Sequence, residues 1–262
     1  MCITFYRHKT YLYYTIKRIM HYREKSQLST APLFGVLNTL HAIGERLMDL
    51  VFPKYCLLCN KEGTYFCASC RCKMPSDTTP IFHETFSLWR YDHETVRKAL
   101  WELKYRGKRG LARDIAESLY DKILETLAEN ELFENPRGKT VNGNEYLVVP
   151  IPIHKNRQKE RGYNQSELLA KELCLLDPSL FILEEEVLFK SKSTQSQVSV
   201  KNREKRLKNI RGSFAVKNPE RIIGKKLLII DDITTTGATL SEARRVLLKA
   251  GAKKVWCATI AH

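Results

Sequence analysis

Residues 227–239, LLIIDDITTTGAT, place two adjacent carboxylates, Asp231 and Asp232, in front of a threonine-rich loop. The apolar residues 227–230 predict a short buried strand, and the pattern after Thr239 predicts a helix. Hydroxyls and backbone N–H groups in a loop at a helix N-terminus bind phosphate. The sequence therefore predicts an anion-binding loop, formed by Thr234, Thr235, Thr236, Gly237, Ala238 and Thr239.

The two carboxylates before this loop must face another part of the ligand. Because carboxylates repel phosphate, Asp231 and Asp232 are expected to face the vicinal hydroxyls of a ribose, or a Mg²⁺ ion that bridges to it. A sugar phosphate such as ribose 5-phosphate satisfies both the carboxylates and the loop. The sequence has no G-x4-G-K-[ST] motif and no strand followed by G-x-G-x-x-G, so a P-loop NTPase and a dinucleotide-binding fold are not indicated.

Four of the eight cysteines form two C-x2-C pairs separated by seven residues. Thiolates at this spacing converge on one Zn²⁺ ion, and Gly63 allows the chain to reverse between the pairs. A closed four-thiolate site leaves no position for water, so the predicted zinc is structural. The expected ligands are Cys56, Cys59, Cys67 and Cys70; Cys72 is an alternative to Cys70, although its spacing fits less well.

A basic segment, KYRGKRG at residues 104–110, joins two predicted helices. Basic side chains interleaved with an aromatic ring hold a phosphate backbone and stack on a base, as in proteins that bind single-stranded nucleic acid. The alternative is a solvated loop with a tyrosine in the core. The candidate nucleic-acid contacts are Lys104, Tyr105, Arg106, Lys108 and Arg109.

The elements that position these groups alternate between strand and helix. An edge strand is expected through Trp89 and Tyr91, followed by helices with apolar spacing from Val96 and from Leu111. The strand YLVVPIPIH ends at its prolines, and a basic loop then leads into a helix. Two further strands are expected, in EEEVLFK and KKVWCATIAH. This order predicts an α/β fold with a mainly parallel sheet flanked by helices, whose ligands bind at the carboxyl ends of the strands.

Three features predict where individual helices begin and end. Asn164 and Glu167 are suited to cap one helix, and Thr239 and Glu242 form a capping-box pair for the last helix. Gly251 is placed to end that last helix.

Composition and charge limit the class of protein and its partners. The length of 262 residues and the 43% apolar content suit one medium domain with a small additional segment. A formal net charge of +15 favours anionic partners, although scattered charge of this size also fits a solvated basic surface. Charged residues interrupt every apolar run near the N-terminus, so neither a secretory signal nor an integral membrane segment is expected. A cytoplasmic location follows, where paired cysteines bind metal more often than they form disulfides.

Two acids, a variable pair and then Thr-Gly-x-Thr after an apolar strand resemble the phosphoribosyl pyrophosphate (PRPP) motif of type I phosphoribosyltransferases. Further motifs occur in order: the cysteine pairs, LKYRG at residues 103–107, VPIP at 149–152, RGYNQS at 161–166 and RLKNIRGSF at 206–214. Together they resemble the ComF/GntX family, whose late-competence ComF proteins are associated with DNA uptake in natural transformation. The resemblance covers roughly residues 45–262.

The resemblance implies a role for each matching residue. Asp231 and Asp232 would hold the ribose hydroxyls of PRPP, directly or through Mg²⁺, and residues 234–239 would hold the 5-phosphate. The turn at Pro150 and Ile151 would replace the pyrophosphate-binding loop, with Arg161 and Asn164 nearby. The segment around Lys104 would cover the site. A family signature corresponds to Gln197, Arg206 and Asn209; this segment carries about one extra residue, so Arg203 is an alternative to Arg206.

Three regions are expected along the chain. They are a basic N-terminal extension (1–35), a zinc-ribbon-like segment (36–80) and a phosphoribosyltransferase-like domain (81–262). Helical apolar spacing begins near Thr39 and leads into the cysteine pairs. Residues 1–30 lie outside the resemblance, show no clear periodicity and are expected to be dispensable; a start codon assigned too early would also produce them.

Three hypotheses for function follow. The favoured one is a PRPP-binding ComF-type protein that contacts single-stranded DNA during uptake. The second is an active phosphoribosyltransferase acting on a nucleobase or amine acceptor. The third is a zinc-held adaptor for a helicase-like competence partner. The fold alone does not choose among them.

Overall fold

The computed structural model describes residues 53–79, 81–82, 84–134, 145–191 and 210–262. The expected N-terminal extension, the helical pattern from Thr39, and the signature residues Gln197, Arg206 and Asn209 lie outside these ranges. Contacts divide the chain into Met1–Lys54 and Tyr55–His262, and every element below belongs to the second unit. The boundaries expected at residues 35 and 80 stay predictions.

Within the described residues, strands and helices alternate over most of the chain. The strands are β1 (Thr85–Trp89), β2 (Tyr146–Pro150), β3 (Phe181–Leu183), β4 (Leu188–Lys190), β5 (Phe214–Val216), β6 (Lys226–Ile233) and β7 (Lys254–Ala261). The helices are α1 (Ala68–Arg71), α2 (Glu94–Tyr105), α3 (Leu111–Glu134), α4 (Lys155–Arg161), α5 (Gln165–Leu176) and α6 (Ala238–Lys249), with a 3-10 turn at Pro219–Arg221.

Five strands form one parallel sheet in the order β1-β7-β6-β2-β3. Strands β4 and β5 form a separate antiparallel pair. The predicted α/β class with a mainly parallel sheet is therefore confirmed, and β1 is an edge strand as expected. In the centre lies β6, between β7 and β2, which fixes where the two carboxylates emerge.

The central strand is buried on both faces because its apolar side chains alternate between two cores. Leu228 and Ile230 pack with α3 and α5, whereas Leu227 and Ile229 pack with α6. All four side chains are fully buried. This continuous apolar run is what a parallel strand covered by helices on both sides requires.

The strand β6 is longer than the four apolar residues predicted. It extends through Asp231 to Ile233, because Asp231 pairs with Thr259 and Ile233 pairs with Ala261 of β7. On its other side, pairing with β2 ends at Pro150, which lies opposite Ile230. The two acids therefore lie on β6 at the carboxyl edge of the sheet, beyond the point where β2 ends.

Local patterns mispredicted several elements. Residues 155–161 form helix α4 and not a basic loop, and Phe181–Leu183 is a sheet strand that the sequence analysis missed. The strand expected in EEEVLFK exists as β4, but it pairs with β5 outside the main sheet. Three-residue strands are too short to display a period, so their positions depend on tertiary partners.

The capping box predicted for α6 is wrong. Gly237 is the N-cap, with φ 72°, and Thr239 lies inside the helix. Glu242 instead accepts the Gly212 N–H at 2.6 Å and pairs with Arg245 at 2.8 Å. Asn164 does cap α5, by accepting the N–H of Ser166 at 3.1 Å. The last helix ends at Lys249, shortly before Gly251, as predicted.

The cysteine segment is held against α3 by one carboxylate. Asp114 Oδ2 accepts hydrogen bonds from Thr64 Oγ1 at 2.8 Å, Tyr65 N at 2.8 Å and Phe66 N at 2.9 Å. The Phe66 ring is buried and stacks on Trp89 of β1, with centroids 5.3 Å apart. Polar and apolar contacts thus join the segment to the sheet domain.

Replacing Asp114 with alanine should weaken this attachment. The change removes the acceptor of the Tyr65 N–H and one of the two acceptors of the Phe66 N–H. We therefore expect a loss of about 1–3 kcal/mol in the free energy of unfolding. Urea unfolding of the zinc-loaded protein measures it. Glu125→Ala is the matched control, since its side chain is 58% exposed and forms a surface pair with Lys122 that is worth under about 1 kcal/mol. Equal losses in the two variants would contradict the role assigned to Asp114.

Candidate ligand site and metal centre

The acid pair at the end of β6 is held by side chains from three elements. Asp231 Oδ1 accepts hydrogen bonds from Ser166 Oγ of α5 at 3.0 Å and from the Asp232 N–H at 2.8 Å. Asp232 Oδ2 lies 2.9 Å from Lys104 Nζ, at the end of α2. Strand β6 and the ends of two helices therefore converge at this point.

Burial and charge alter the acidity of the pair. Burial, together with the negative charge of Asp232, raises the pKa of Asp231 to about 7. The Asp232 N–H, the Ser166 hydroxyl and the charge of Lys104 act in the opposite direction. Near neutral pH the site therefore carries less negative charge than two ordinary aspartates, which favours approach of an anionic ligand.

The loop after the acids has the expected position at the N-terminus of α6. It is tied to β7 by the Thr234 N–H, which donates to Ala261 O at 3.0 Å. Helix α6 has twelve residues, so the positive end of its dipole faces the loop. Geometry and charge both fit an anion here.

Gly237 has a packing role that its sequence did not reveal. A Cβ atom there would lie 3.0 Å from Ile81 Cγ2 and 3.1 Å from Phe82 Cδ1. Its φ of 72° is also unfavourable for other residues. A larger residue at Gly237 would therefore disturb the residues before β1. A loss of phosphate binding in such a variant would not show that the backbone of the loop contacts the phosphate.

The Pro150–Ile151 turn lies beside the acid pair. The Ile151 N–H donates to Ile230 O at 2.9 Å, and Asn164 Nδ2 donates to Ile151 O at 3.0 Å. Next to the turn is a cleft of about 120 Å³. It is lined by Pro150, Pro152, Ile153, Gln158, Asn164, Glu167 and Glu185.

The basic residues that the sequence singled out have different partners in the structure. Lys104 points to the acid pair, and Lys108 pairs with Glu102 at 3.0 Å. The guanidinium of Arg161 lies 5.1 Å from the Tyr105 ring centre and donates to Gln165 Oε1 at 3.0 Å.

The other candidates contribute to a partly exposed surface, here called the aromatic–arginine surface. Arg106 lies 4.9 Å from the Trp101 ring centre, and Arg109 lies 4.9 Å from that of Tyr163. Trp101 is 46% exposed and Tyr105 is 60% exposed. The surface comprises Trp101, Tyr105, Arg106, Arg109, Arg161 and Tyr163.

Sequence reasoning missed three residues at these sites. Trp101 lies one turn before the basic segment, a spacing that could have revealed it. Ser166 follows the capping Asn164 and reaches Asp231 only in the folded chain. Lys190 of β4 was also missed, although its charge interacts with that of Asp231. Burial and the charge of Arg157 lower the pKa of Lys190, and the charge of Asp231 acts in the opposite direction. A three-residue strand carries no signal for that placement.

The four predicted zinc ligands come together. The sulfur atoms of Cys56, Cys59, Cys67 and Cys70 all lie within 4.8 Å of one another. Zn–S bonds of about 2.3 Å place sulfurs about 3.8 Å apart in a tetrahedron, and Cys59 and Cys67 are already 3.6 Å apart. The donor set therefore fits Zn²⁺. Cys72 is exposed and outside the cluster, which favours Cys70 as the fourth ligand.

Thiol acidity agrees with a site that needs a cation. Although burial opposes ionisation, backbone N–H groups in the turn lower the pKa of Cys56 to about 6. Burial and the neighbouring sulfurs raise the pKa of Cys70 to about 12. Cys56 therefore ionises readily, whereas the Cys70 thiolate needs a metal ion to stabilise it.

Comparison with known proteins relates the chain to two groups. The phosphoribosyl transferase domain family matches residues 159–262. Competence protein F of Haemophilus influenzae is 29% identical over 206 residues, covering 78% of this chain and 82% of that protein. Competence protein ComFC of Bacillus subtilis is 37% identical over 122 residues, 45% of each chain.

Other similarities are more limited. The DNA utilization protein YhgH of Escherichia coli is 33% identical over 42% of this chain and 47% of its own, so the chain matches less than half of YhgH and of ComFC. A hypoxanthine phosphoribosyl transferase structure from Trypanosoma cruzi is 14% identical, covering 56% of this chain and 63% of that one, with a TM-score of 0.35. A TM-score this low does not identify a fold. No helix in the described part of the chain is long and apolar enough to cross a bilayer.

The metal centre can be tested by its ligands. Elemental analysis should find about one zinc per chain, and Cys70→Ser should lower that content and the melting temperature together, because the small segment has little core of its own. Cys72→Ser is the matched control and should retain the metal. Loss of zinc from Cys72→Ser with retention in Cys70→Ser would reverse the assignment of the fourth ligand.

Proposed function

We propose that this chain, which belongs to the ComF family of competence proteins, binds PRPP or a related sugar phosphate and acts in DNA uptake. The observation that carries the proposal is the placement of Asp231 and Asp232 on β6, directly before the loop at the N-terminus of α6. In this arrangement the carboxylates would contact the ribose hydroxyls of a ligand, and the loop would contact the phosphate of the same ligand. The matched phosphoribosyl transferase domain includes both.

The residues present fit a Mg²⁺ ion that arrives with the ligand. Mg²⁺ is commonly held by one or two carboxylates together with phosphate oxygens and water, and Asp231 and Asp232 would supply the carboxylates. Bound there, the ion would neutralise the pyrophosphate. The residues of the chain do the rest: the loop orients the 5-phosphate, and the Asn164–Ile151 hydrogen bond holds the neighbouring turn.

We further propose that single-stranded DNA contacts the aromatic–arginine surface. Exposed rings of Trp101 and Tyr105 offer faces on which bases stack, and the guanidinium groups of Arg106 and Arg109 lie beside aromatic faces while remaining exposed. Such sites bind without strong sequence preference. The names of the relatives, which refer to competence and DNA utilization, agree with this partner.

Two other functions remain as alternatives. In the enzyme alternative, a nitrogen nucleophile of a base or amine forms a bond to C1 of the ribose while the bond to pyrophosphate breaks. The cleft beside Pro150 is the observation that favours it, because an acceptor needs a cavity next to the sugar. Release of pyrophosphate across a panel of acceptors would establish it. The adaptor alternative requires a helicase-like partner and no ligand.

Replacing both acids with asparagine should weaken PRPP binding without unfolding the protein. Charge-assisted contacts are worth about 1.5–3 kcal/mol each, so calorimetric titration with PRPP and Mg²⁺ should show at least about a tenfold loss of affinity. The fold should survive, because asparagine retains the capacity to form hydrogen bonds. Burial raises the pKa of the Asp231 carboxyl group, so replacing it with a neutral amide removes a charge that burial disfavours. Asp92→Asn, an exposed carboxylate, is the control. Unchanged PRPP affinity in the double variant would refute the assignment.

Replacing Arg106 and Arg109 with alanine should reduce the salt dependence of single-stranded DNA binding. The slope of log affinity against log salt should fall by roughly 1.4, at about 0.7 per lost phosphate contact. Trp101→Ala should weaken binding about tenfold at every salt concentration, since stacking on a base is worth about 1–3 kcal/mol. Fluorescence anisotropy with an oligonucleotide measures both effects.

A matched charge control is available at the other end of the sheet. Lys249 and Lys253 are exposed and lie at the amino end of β7, away from the carboxyl edge. Their double alanine variant lowers net charge by the same amount as the Arg106 and Arg109 variant, and it should leave the slope unchanged. An equal fall in both variants would mean that overall charge, and not this surface, binds DNA.

A further inference from the structure

The ion pair between Lys104 and Asp232 is an enclosed cation contact at the proposed ligand site. Its atoms are 2.9 Å apart, and the two side chains are 16% and 13% exposed. The sequence placed Lys104 among the nucleic-acid contacts. The fold instead directs it inward, although Tyr105 and Arg106 next to it are exposed.

The need for a cation at this point follows from the position of the two acids. Asp231 and Asp232 are neighbours on one strand, so two carboxylates of like charge lie close together and repel each other. Hydrogen bonds to Asp231 come from a neutral hydroxyl and a backbone N–H, so they supply no formal positive charge. Lys104 supplies a positive charge through its ion pair with Asp232, and Lys190 of β4 also interacts electrostatically with Asp231.

Lys104 reaches the acids from a helix end that adjoins an exposed segment. It lies in the last turn of α2, which ends at Tyr105, and Gly107 with φ 65° reverses the chain immediately afterwards. Its neighbour Leu103 is fully buried and anchors the helix. The flexible lysine stem therefore permits the ammonium group to leave Asp232 while the helix stays in place.

We infer that Lys104 is the resident counter-ion of the acid pair and competes with a divalent cation for Asp232. Both are cations that require the same carboxylate, so binding of one weakens binding of the other. The inference rests on the proposed sugar-phosphate function, because that ligand is what brings a divalent cation to the site. It assigns Lys104 to regulating metal entry and removes it from the set of DNA contacts.

The competition can be measured without any sugar phosphate. Mn²⁺, which electron paramagnetic resonance detects when free, is titrated into the full-length protein after its cysteine cluster has been loaded with zinc. Lys104→Met should bind Mn²⁺ about tenfold more tightly than the parent, because the acid pair loses its internal cation. Lys104→Arg keeps the charge and should remain within about threefold of the parent.

A second background separates competition from a general effect of charge. In Asp232→Asn the shared carboxylate is absent, so adding Lys104→Met should produce little further gain in Mn²⁺ affinity. Unchanged or weaker Mn²⁺ binding by folded Lys104→Met overturns the inference, and so does an equal gain in the Asp232→Asn background. Circular dichroism verifies that each variant is folded.

Failure of this inference differs from failure of the proposed function. If the parent binds PRPP but Lys104→Met leaves Mn²⁺ affinity unchanged, the sugar-phosphate site stands and the competition is refuted. If Lys104→Met gains Mn²⁺ affinity but the parent does not bind PRPP or ribose 5-phosphate, the competition stands and the proposed ligand is wrong.

Discussion

The one-sided continuation of β6 past the end of β2 is the constraint on which the candidate site depends. Pairing with β7 carries the strand through Asp231 to Ile233, while pairing with β2 stops at Ile230. Both acids are therefore held by a buried strand, yet one flank of that strand is free for the helix ends that carry Ser166 and Lys104. A loop in place of this extension would hold the carboxylates less firmly. The same strand fixes where the loop between β6 and α6 begins.

Charge at the sheet edge is balanced by residues that are distant in sequence. Burial raises the pKa of Asp231, and the ammonium of Lys104 opposes that effect while pairing with Asp232. The end of α2 and the segment after it therefore face two environments. Lys104 faces the two acids, whereas Tyr105 and Arg106 face solvent beside Trp101. Because one helix end carries both, the proposed sugar-phosphate site and the proposed DNA surface are adjacent, although their chemistry differs.

The cysteine segment also contributes to the site. Asp114 attaches it to α3 through three hydrogen bonds. After this segment the chain passes through Asp77, which is buried, and Asp77 Oδ2 lies 3.3 Å from His262 Nδ1. The other ring nitrogen, His262 Nε2, lies 3.2 Å from Thr235 O in the loop between β6 and α6. The four-cysteine cluster therefore belongs to a segment that direct polar contacts join to the loop before α6.

The sequence by itself determined the α/β class, the four-cysteine cluster and the acid–threonine motif, because each depends on local periodicity or on residue spacing. It also located the last helix and its end before Gly251. Only the tertiary structure decided that Lys104 faces Asp232, that Arg161 lies on Tyr105, and that Glu242 binds Gly212 instead of capping its own helix. Polar side chains at exposed helix ends have several partners within reach, and local pattern does not distinguish them. Which partner is bound depends on where the sheet brings the chain segments together.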